Sequence, residues 1–455
     1  MTLIGMPRIR ERRTPTRTGR TYHLRTFGCQ MNVHDSEGIA GLLEADGMVP
    51  ATDPEAADLV VFNTCCIREN ADDKLYGSLG MLKRAKDRRP GMMIVVGGCL
   101  AQKDRDTIRV RAPWVDVVFG THNLNRVVSL LDYAEEWGPV TEILEESDDV
   151  AVVPAKREVA HSAWVTIMIG CNNSCTFCIV PSVRGAEISR RPGDIAREVA
   201  DLAADGVVEV TLLGQNVNSY GRDLDLGGRK PLFAGLLRRV GSVDGIGRIR
   251  YTSPHPKDFR EDVAVAMAET PAVCEQLHMP LQSGSDRILA AMHRGYNAER
   301  FLAKIDLARE HIPGLALSTD VIVGFPGETE QDFQATLDVV AAARFDSAFT
   351  FIYSPRPGTA AADMVDDFVD PTEIQDRYRR LTELQTTIGL EANQAIVGAS
   401  VEVLVDGPSK TDPAMLSGRT RTNKLVHFAG SIASGSLADV RVVRATPHYL
   451  VGALV

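Results

Sequence analysis

The chain has 455 residues, 44% of them hydrophobic and 24% charged, with a formal net charge of −10. That length allows two to four domains with sizeable cores, and the composition is that of an ordinary globular protein. No apolar run is long enough to span a bilayer, residues 1–20 are rich in Arg, Thr and Pro without the apolar stretch of a secretory signal, and the acidic balance excludes a protein that coats nucleic acid non-specifically. The expected setting is cytoplasmic, with residues 1–20 a disordered basic tail. Eight cysteines in a chain this long are not a disulfide framework and point to metal or redox chemistry.

From residue 21 to 137, strand candidates alternate with helical stretches. The strands are Tyr22–Phe27, Leu59–Asn63, Met93–Val96 and Val115–Phe119; Asp35–Asp46 and Arg68–Asp87 are among the helices. The alternation predicts an α/β domain built on an open parallel sheet. Cysteines stand just past three strand ends: Cys29 after Gly28, Cys65 after Asn63-Thr64, and Cys99 after Gly97-Gly98. Parallel sheets place ligands at the carboxyl ends of their strands, so the three thiols are expected to converge. Each alone reads more simply as a buried inert thiol, but the shared position favours a three-thiolate site. Cys66 adjoins Cys65, and only one of the two is expected as a ligand.

Residues 138–160 hold Gly138-Pro139, the acidic run Glu142–Asp149 and Pro154, and read as a linker. In residues 161–392 the alternation resumes. Candidate strands are Trp164–Ile169, Val207–Leu213, Ile249–Thr252, Gln276–Met279, Ala316–Val323 and Ser347–Phe351. Candidate helices are Ile195–Ala204, Asp258–Ala268, Ser285–Met292, Ala298–Arg309 and Thr329–Ala343. This fits an incomplete (β/α)6 barrel with its active site at the strand C-termini. Polar or Gly-rich turns follow the strands: Gly214-Gln215-Asn216, Gln282-Ser283-Gly284 and Gly324-Phe325-Pro326-Gly327-Glu328. Any one of them is as readily a tight βα connection, but together they line one mouth. A long helix, Thr372 to about Ala395, leads out. Residues 393–455 form a last domain in which 399–455 switch to period two, with Ser400–Val405, Lys424–Phe428 and Leu437–Arg444 among about five short strands of a small β-barrel. Arg419, Arg421 and Lys424, near His427 and Phe428, read as a local RNA-facing edge or, more plainly, a solvated loop.

The first barrel strand ends at Gly170, and Cys171, Cys175 and Cys178 follow in a C-x3-C-x2-C loop. Four cysteines would close a tetrahedral zinc site. Three leave one iron of a [4Fe–4S] cube without a protein ligand, and this spacing is the signature of the radical S-adenosylmethionine (SAM) enzymes, in which that iron chelates SAM. A zinc knuckle completed by His161 is the weaker alternative, because zinc loops use paired spacings.

With these residues in view, residues 21–455 resemble the radical-SAM methylthiotransferases, and within them the branch that acts on N6-isopentenyladenosine in tRNA. The carriers are Thr26-Phe27-Gly28-Cys29-Gln30-Met31-Asn32, Asn63-Thr64-Cys65, Arg68-Glu69-Asn70-Ala71, Gly97-Gly98-Cys99-Leu100-Ala101-Gln102, the Cys171 loop, Met279 to Ser285, Asp320 to Glu328, and Tyr353 to Thr359. The resemblance implies a methylthiotransferase N-terminal domain, a radical-SAM barrel and a C-terminal TRAM barrel that binds RNA. It implies that Cys29, Cys65 and Cys99 hold a second, auxiliary [4Fe–4S] cluster, which assigns the ligand role to Cys65 rather than Cys66. It further implies SAM contacts from Phe177, Gly214, Gln215, Asn216, Gln282, Ser283, Asp320 and Gly324. Cys274 matches no ligand position. Cys66 and Ser182 depart from the residues usual at their positions.

The implied chemistry follows from the substrate. Carbon 2 of adenine carries a strong, non-acidic C–H bond that no general base breaks at neutral pH. One SAM is expected to methylate a sulfur of the auxiliary cluster and a second to give a 5′-deoxyadenosyl radical, while the protein orients the partners and excludes water. The adenine must leave its stack to enter the barrel. Expected partners are tRNA carrying N6-isopentenyladenosine next to the anticodon and an electron donor of the flavodoxin or ferredoxin class, with the chain a monomer and no membrane. The competing readings are methylthiolation of a ribosomal protein or of a differently modified tRNA adenosine, and a non-catalytic Fe–S regulator that binds RNA.

Overall fold

The computed structural model describes residues 14–66, 71–146, 150, 153–224 and 230–455. The chain divides into two units, Met1–Glu158 with Ile179–Ala186, and Val159–Cys178 with Glu187–Val455.

The first unit is a parallel sheet. Its strands β1 (Thr21–Phe27), β2 (Val49–Pro50), β3 (Leu59–Thr64), β4 (Met93–Gly98), β5 (Val117–Phe119) and β6 (Val140–Glu142) lie in the order β2-β1-β3-β4-β5-β6. Helices α1 (Gln30–Ala45), α2 (Ala71–Arg88), α3 (Cys99–Asp104), α4 (Thr107–Arg111) and α5 (Val127–Trp137) form the crossovers. β3 and β4 are buried along their whole length, and the side chains divide between two cores, one on each face. That accounts for their continuous apolar sequences, since a sheet covered on both sides needs no alternation. The short helix α6 (Val180–Arg184), which follows the Cys171–Cys178 loop in sequence, belongs to this unit and packs Ile179 and Val183 beside Cys66 and Cys99. β6 lies inside the stretch read as a linker: Val140 and Thr141 pair in parallel with Val117 and Val118. The Arg68-Glu69-Asn70 motif and Ser147–Asp149 of the acidic run lie outside the described residues.

In the second unit six parallel strands carry the barrel: β7 (Ser162–Thr166), β10 (Glu209–Leu213), β11 (Arg248–Tyr251), β12 (Gln276–His278), β13 (Ala316–Val323) and β14 (Ser347–Ile352). They form two triplets, β11-β10-β7 and β12-β13-β14, joined where Ile249 bridges Val273 in parallel. The first strand stops at Thr166, earlier than the apolar run to Ile169. Met168–Ile169 instead forms β8, antiparallel to β9 (Ile188–Ser189). Outside the strands lie α7 (Pro192–Ala204), α8 (Phe233–Gly241), α9 (Glu261–Glu269), α10 (Asp286–Ala291), α11 (Ala298–His311), α12 (Glu330–Ala343) and α13 (Pro371–Gln394). Four of these starts obey capping chemistry: Ser285, Asn297, Thr329 and Asp370 each accept a backbone N–H with the side chain, and Thr329 with Asp332 completes a reciprocal capping box.

After α13 the chain closes a five-stranded barrel, β15 (Ser400–Pro408), β16 (Leu416–Thr420), β17 (Leu425–Ala429), β18 (Leu437–Ala445) and β19 (Leu450–Leu454), in the order β15-β16-β17-β19-β18. Its core is Val403, Val405, Val426, Phe428, Val440, Val442 and Leu450.

Candidate active site

In the first unit the sheet register gathers the cysteines. Phe27, Thr64 and Gly98 stand side by side at the ends of β1, β3 and β4. The chain then turns, so Cys29, Cys65-Cys66 and Cys99 leave the same edge. Cys65 N–H donates to Phe27 O at 2.7 Å, which ties the first two strand ends together. Close approach is built into two glycines. A Cβ on Gly28 would lie 2.8 Å from the Cys65 Cβ, and Gly98, at φ +92°, would drive one to 2.3 Å from Asn63 Oδ1. Behind the thiols runs a buried polar layer. Asn32 Nδ2 donates to Asn63 Oδ1 (3.2 Å), Asn63 Nδ2 donates to Asn32 O (2.8 Å) and Ser36 Oγ (3.0 Å), and Thr64 Oγ1 donates to Gly97 O (3.1 Å). The polar residues of the sequence motifs therefore hold the strand ends in register; the thiols are what remains for chemistry.

Two of the thiols, Cys29 and Cys99, are biased toward the anion. Cys29 caps α1, so the helix's positive end favours its thiolate. A hydrogen bond from Cys65 brings Cys29 down to about 5, against the upward pull of burial and with help from the Arg184 charge. Cys99 opens α3 and is brought down to about 7, chiefly by a hydrogen bond from Cys66. The Cys66 thiol, which donates that bond and is buried, is pushed well up. Arg184 is the buried cation of the site. It is 6% exposed, and its Nη2 donates to Asp35 Oδ2 at 2.6 Å. Three thiols at one sheet edge, two of them biased to the anion with a guanidinium alongside, suit an iron–sulfur cluster, whose ligands are thiolates. Among the described residues no group of three or more Cys, His, Asp or Glu already stands in metal-holding geometry.

In the second unit the Cys171 loop is pinned at Thr176 by two other segments. Thr176 N–H donates to Met292 O (3.2 Å), Thr176 Oγ1 donates to Ala291 O (2.9 Å), and Ala361 N–H donates to Thr176 O (2.9 Å). Arg294, buried, donates from Nη1 to Cys175 Sγ at 3.2 Å and from Nε to Tyr296 Oη at 3.1 Å. Burial pushes the Cys171 thiol up.

The residues expected to contact SAM divide into two groups. Gln215 and Asn216 keep polar atoms without a hydrogen-bond partner among the described residues. Both amide atoms of Gln215 are buried without a hydrogen-bond partner among the described residues, as a ligand contact would require. Asn216 Nδ2 donates to Asp258 Oδ2 (3.0 Å) and Glu187 Oε1 (3.3 Å), and its Oδ1 is unpartnered. Gln282 holds φ +69°, a strained value for a side-chain-bearing residue, with its N–H on Asp320 O. Asp320 Oδ2 lies 3.5 Å from His278 Nε2. The others serve the turns. Ser283 Oγ meets Thr336 Oγ1 (3.3 Å) on α12. Gly324 N–H donates to Glu328 Oε2 (2.8 Å), itself paired with buried Arg377. Phe177 packs with Ile288, Met292 and Phe325, and a Cβ on Gly214 would strike Met168.

The basic cluster of the small barrel is largely committed within the chain. Arg421 forks onto Glu275 (Nε–Oε2 and Nη2–Oε1, both 2.8 Å), and Lys424 pairs with Asp346 and with Asn393 Oδ1. Arg419 stays exposed, with Nη1 on Asn423 O at 3.1 Å. Sequence reading missed Arg184 and Arg294. Neither stands in a charge pattern, and only the fold brings them to the cysteines.

Residues 21–120 match Uncharacterized protein family UPF0004, residues 165–340 the Radical SAM superfamily and residues 394–455 the TRAM domain. The chain is 57% identical over 438 residues to the tRNA-2-methylthio-N(6)-dimethylallyladenosine synthase of Acidothermus cellulolyticus, covering 95% of this chain and 87% of that one. It is 55% identical over 442 residues to the protein of the same name from Corynebacterium jeikeium, covering 95% and 86%. Among solved structures, the radical S-adenosylmethionine methyltransferase TsrM of Kitasatospora setae with cobalamin and a [4Fe–4S] cluster bound has a TM-score of 0.53 over 88% of this chain and 81% of that chain; at 14% identity the likeness is one of fold alone.

Proposed function

We propose the residue roles below for this chain, which belongs to the tRNA-2-methylthio-N(6)-dimethylallyladenosine synthase family. It is a radical-SAM tRNA methylthiotransferase, and it methylthiolates carbon 2 of N6-isopentenyladenosine next to the anticodon. Its cofactors are two [4Fe–4S] clusters and SAM. When bound, a cluster would supply the electron that cleaves SAM, and SAM the radical that abstracts hydrogen from an unactivated C–H bond.

Cys171, Cys175 and Cys178 hold the cluster that binds SAM; Cys29, Cys65 and Cys99 hold the auxiliary one. Arg294 donates to Cys175 and offsets thiolate charge there, and the Arg184 guanidinium, hydrogen-bonded to Asp35, offsets charge on Cys29 and Cys99 through space. Gln215 orients SAM with its amide and Asn216 with its Oδ1, atoms without a partner among the described residues. In the small barrel Arg419 contacts tRNA phosphate, while Arg421 and Lys424 keep that barrel docked. The remaining roles belong to the setting: an electron donor of the flavodoxin or ferredoxin class, a monomeric enzyme and a cytoplasmic location. No described helix is long and apolar enough to cross a membrane.

The observation that supports these assignments is the pair of cysteine groups, one just past the ends of the parallel strands β1, β3 and β4 and the other in the loop that follows β8. Mass spectrometry of tRNA nucleosides from a strain lacking the protein tests the function. The 2-methylthio-N6-isopentenyladenosine signal is expected to vanish while N6-isopentenyladenosine accumulates; an unchanged nucleoside profile would overturn the reading.

A further inference from the structure

On one side of the barrel, three neighbouring strands present a face that lies open at two aromatic side chains. The register of β12, β13 and β14 puts His278 beside Ser318, Asp320 beside Phe349, and Ile322 beside Phe351. Side chains alternate along a strand, so Leu277, Leu317, Val321 and Val323 point to the opposite face, where they are buried in the helix-covered core. The face with the two phenylalanines is therefore the inner one. Both rings lie open, Phe349 at 58% and Phe351 at 46% exposed, while Ile322 is partly covered on the same face, packed against Ile288, Met292 and Phe325. Exposed aromatic rings in adjacent inward positions contribute little to the core and present apolar surface to a ligand.

The patch is graded along the strands. Toward its lower end the Phe349 ring stands edge-on to His278 at 6.2 Å, and His278 Nε2 lies 3.5 Å from Asp320 Oδ2. Toward the strand C-termini, Ile322 and Phe351 offer only hydrocarbon. A ligand that fits carries heteroatoms on one part and a short hydrocarbon branch on another. Resting on the tRNA reading above, the substrate has that division: an adenine ring with a five-carbon, unsaturated substituent on N6. A dimethylallyl group has no hydrogen-bonding capacity, so a protein can recognise it only by removing it from water against apolar surface.

We propose that Phe349, Phe351 and Ile322 form the wall that receives the N6 substituent of the target adenosine, and that this wall discriminates prenylated from unprenylated tRNA. Each methylene withdrawn from water strengthens binding several-fold, so a wall covering the branch gives a preference on the order of tenfold or more.

The test measures equilibrium binding of two anticodon stem-loops, identical except for the isopentenyl group, to the full chain with its clusters reconstituted anaerobically. The wild type is expected to prefer the prenylated RNA. Phe349→Ala/Phe351→Ala should bring the ratio of the two dissociation constants close to one. Phe349→Leu/Phe351→Leu, which keeps the hydrocarbon but not the rings, should retain most of the preference. Iron content and circular dichroism confirm that each variant is folded. A double Ala variant that keeps the wild-type ratio would overturn the proposal. So would an equal loss for both RNAs, which would place the rings against the base, or weakened SAM binding with the ratio intact, which would give the wall to SAM. A wild type with no preference would overturn it as well. Absence of binding to either RNA would also remove the tRNA reading, and is thereby distinguishable from failure of the wall alone.

Discussion

His255 illustrates how far burial alone can fix a residue's chemistry. Its Nδ1 accepts the Lys257 N–H at 3.2 Å, so the ring proton sits on Nε2, and the side chain is buried with its face toward Tyr296. Burial, and then the charges of Arg294 and Lys257, lower its pKa to about 2. The sign of the pH effect follows. Below the ordinary histidine value of about 6.5 the unfolded chain takes up a proton that the folded chain refuses, so the stability present above that pH is lost as pH falls, at about 1.4 kcal/mol per pH unit. His255→Asn keeps an acceptor for Lys257 without the titration. The unfolding midpoint of the wild type should therefore drop more steeply from pH 7 to 5 than that of the variant; parallel curves would mean that His255 protonates in the folded state. At this scale the sequence made the cysteines legible, because a thiol directly after a strand has a position that topology dictates. It did not make Arg294 legible, since 119 residues separate it from Cys175, nor Arg184, whose role depends on α6 belonging to the first unit.

Among the elements, the hairpin between β16 and β17 carries the clearest consequence. Arg250 on β11 donates to Thr420 O and Arg421 O, both at 2.8 Å, and its Nε pairs with Glu209 at 2.9 Å. Neighbouring Arg248 donates to Arg419 O and pairs with Glu402. The small barrel is thus held at the amino-terminal ends of the barrel strands, opposite the mouth. Arg250→Met leaves Glu209 and two carbonyls without their donor in a buried site and should cost about 3–5 kcal/mol. Urea unfolding followed by the release of residues 394–455 to protease would show it; a loss under about 0.5 kcal/mol would mean that the contact is incidental. This docking also explains why charge patterning misleads here. Arg419, Arg421 and Lys424 look alike in sequence, yet Glu275 and Asp346, the acids that engage two of them, lie far away along the chain. The strands of the barrel were legible from their apolar runs, with one exception of physical interest. The run to Ile169 splits at Ile167, because Met168 and Ile169 pair antiparallel with β9 instead. β6 was hidden by its acidic, Pro-flanked context, although its pairing with β5 uses backbone groups that any residue supplies.

For the whole molecule, the division into two units makes the two cysteine triplets separable. Cys29, Cys65 and Cys99 rest on the β1, β3 and β4 ends and on the Asn32–Asn63 layer, all in the first unit. Cys171, Cys175 and Cys178 are anchored by Met292, Ala361 and Arg294, all in the second. Losing one triplet therefore leaves the other's scaffold in place. The full chain, reconstituted anaerobically, should hold about eight irons, four for each cube. Cys171→Ala/Cys175→Ala/Cys178→Ala should retain about half, and Cys29→Ala/Cys65→Ala/Cys99→Ala the other half. Function should divide in the same way. The second variant keeps the SAM-binding loop and should still cleave SAM reductively without transferring sulfur, whereas the first should do neither. Iron analysis and 5′-deoxyadenosine release measured on the same preparations decide the matter. Iron near zero in either variant would show that the triplets depend on one another, and loss of SAM cleavage in a folded Cys29/Cys65/Cys99 variant would refute the division of labour. Cys66 supplies an internal control. It touches Cys99 but holds its proton, so Cys66→Ser should keep the full iron content.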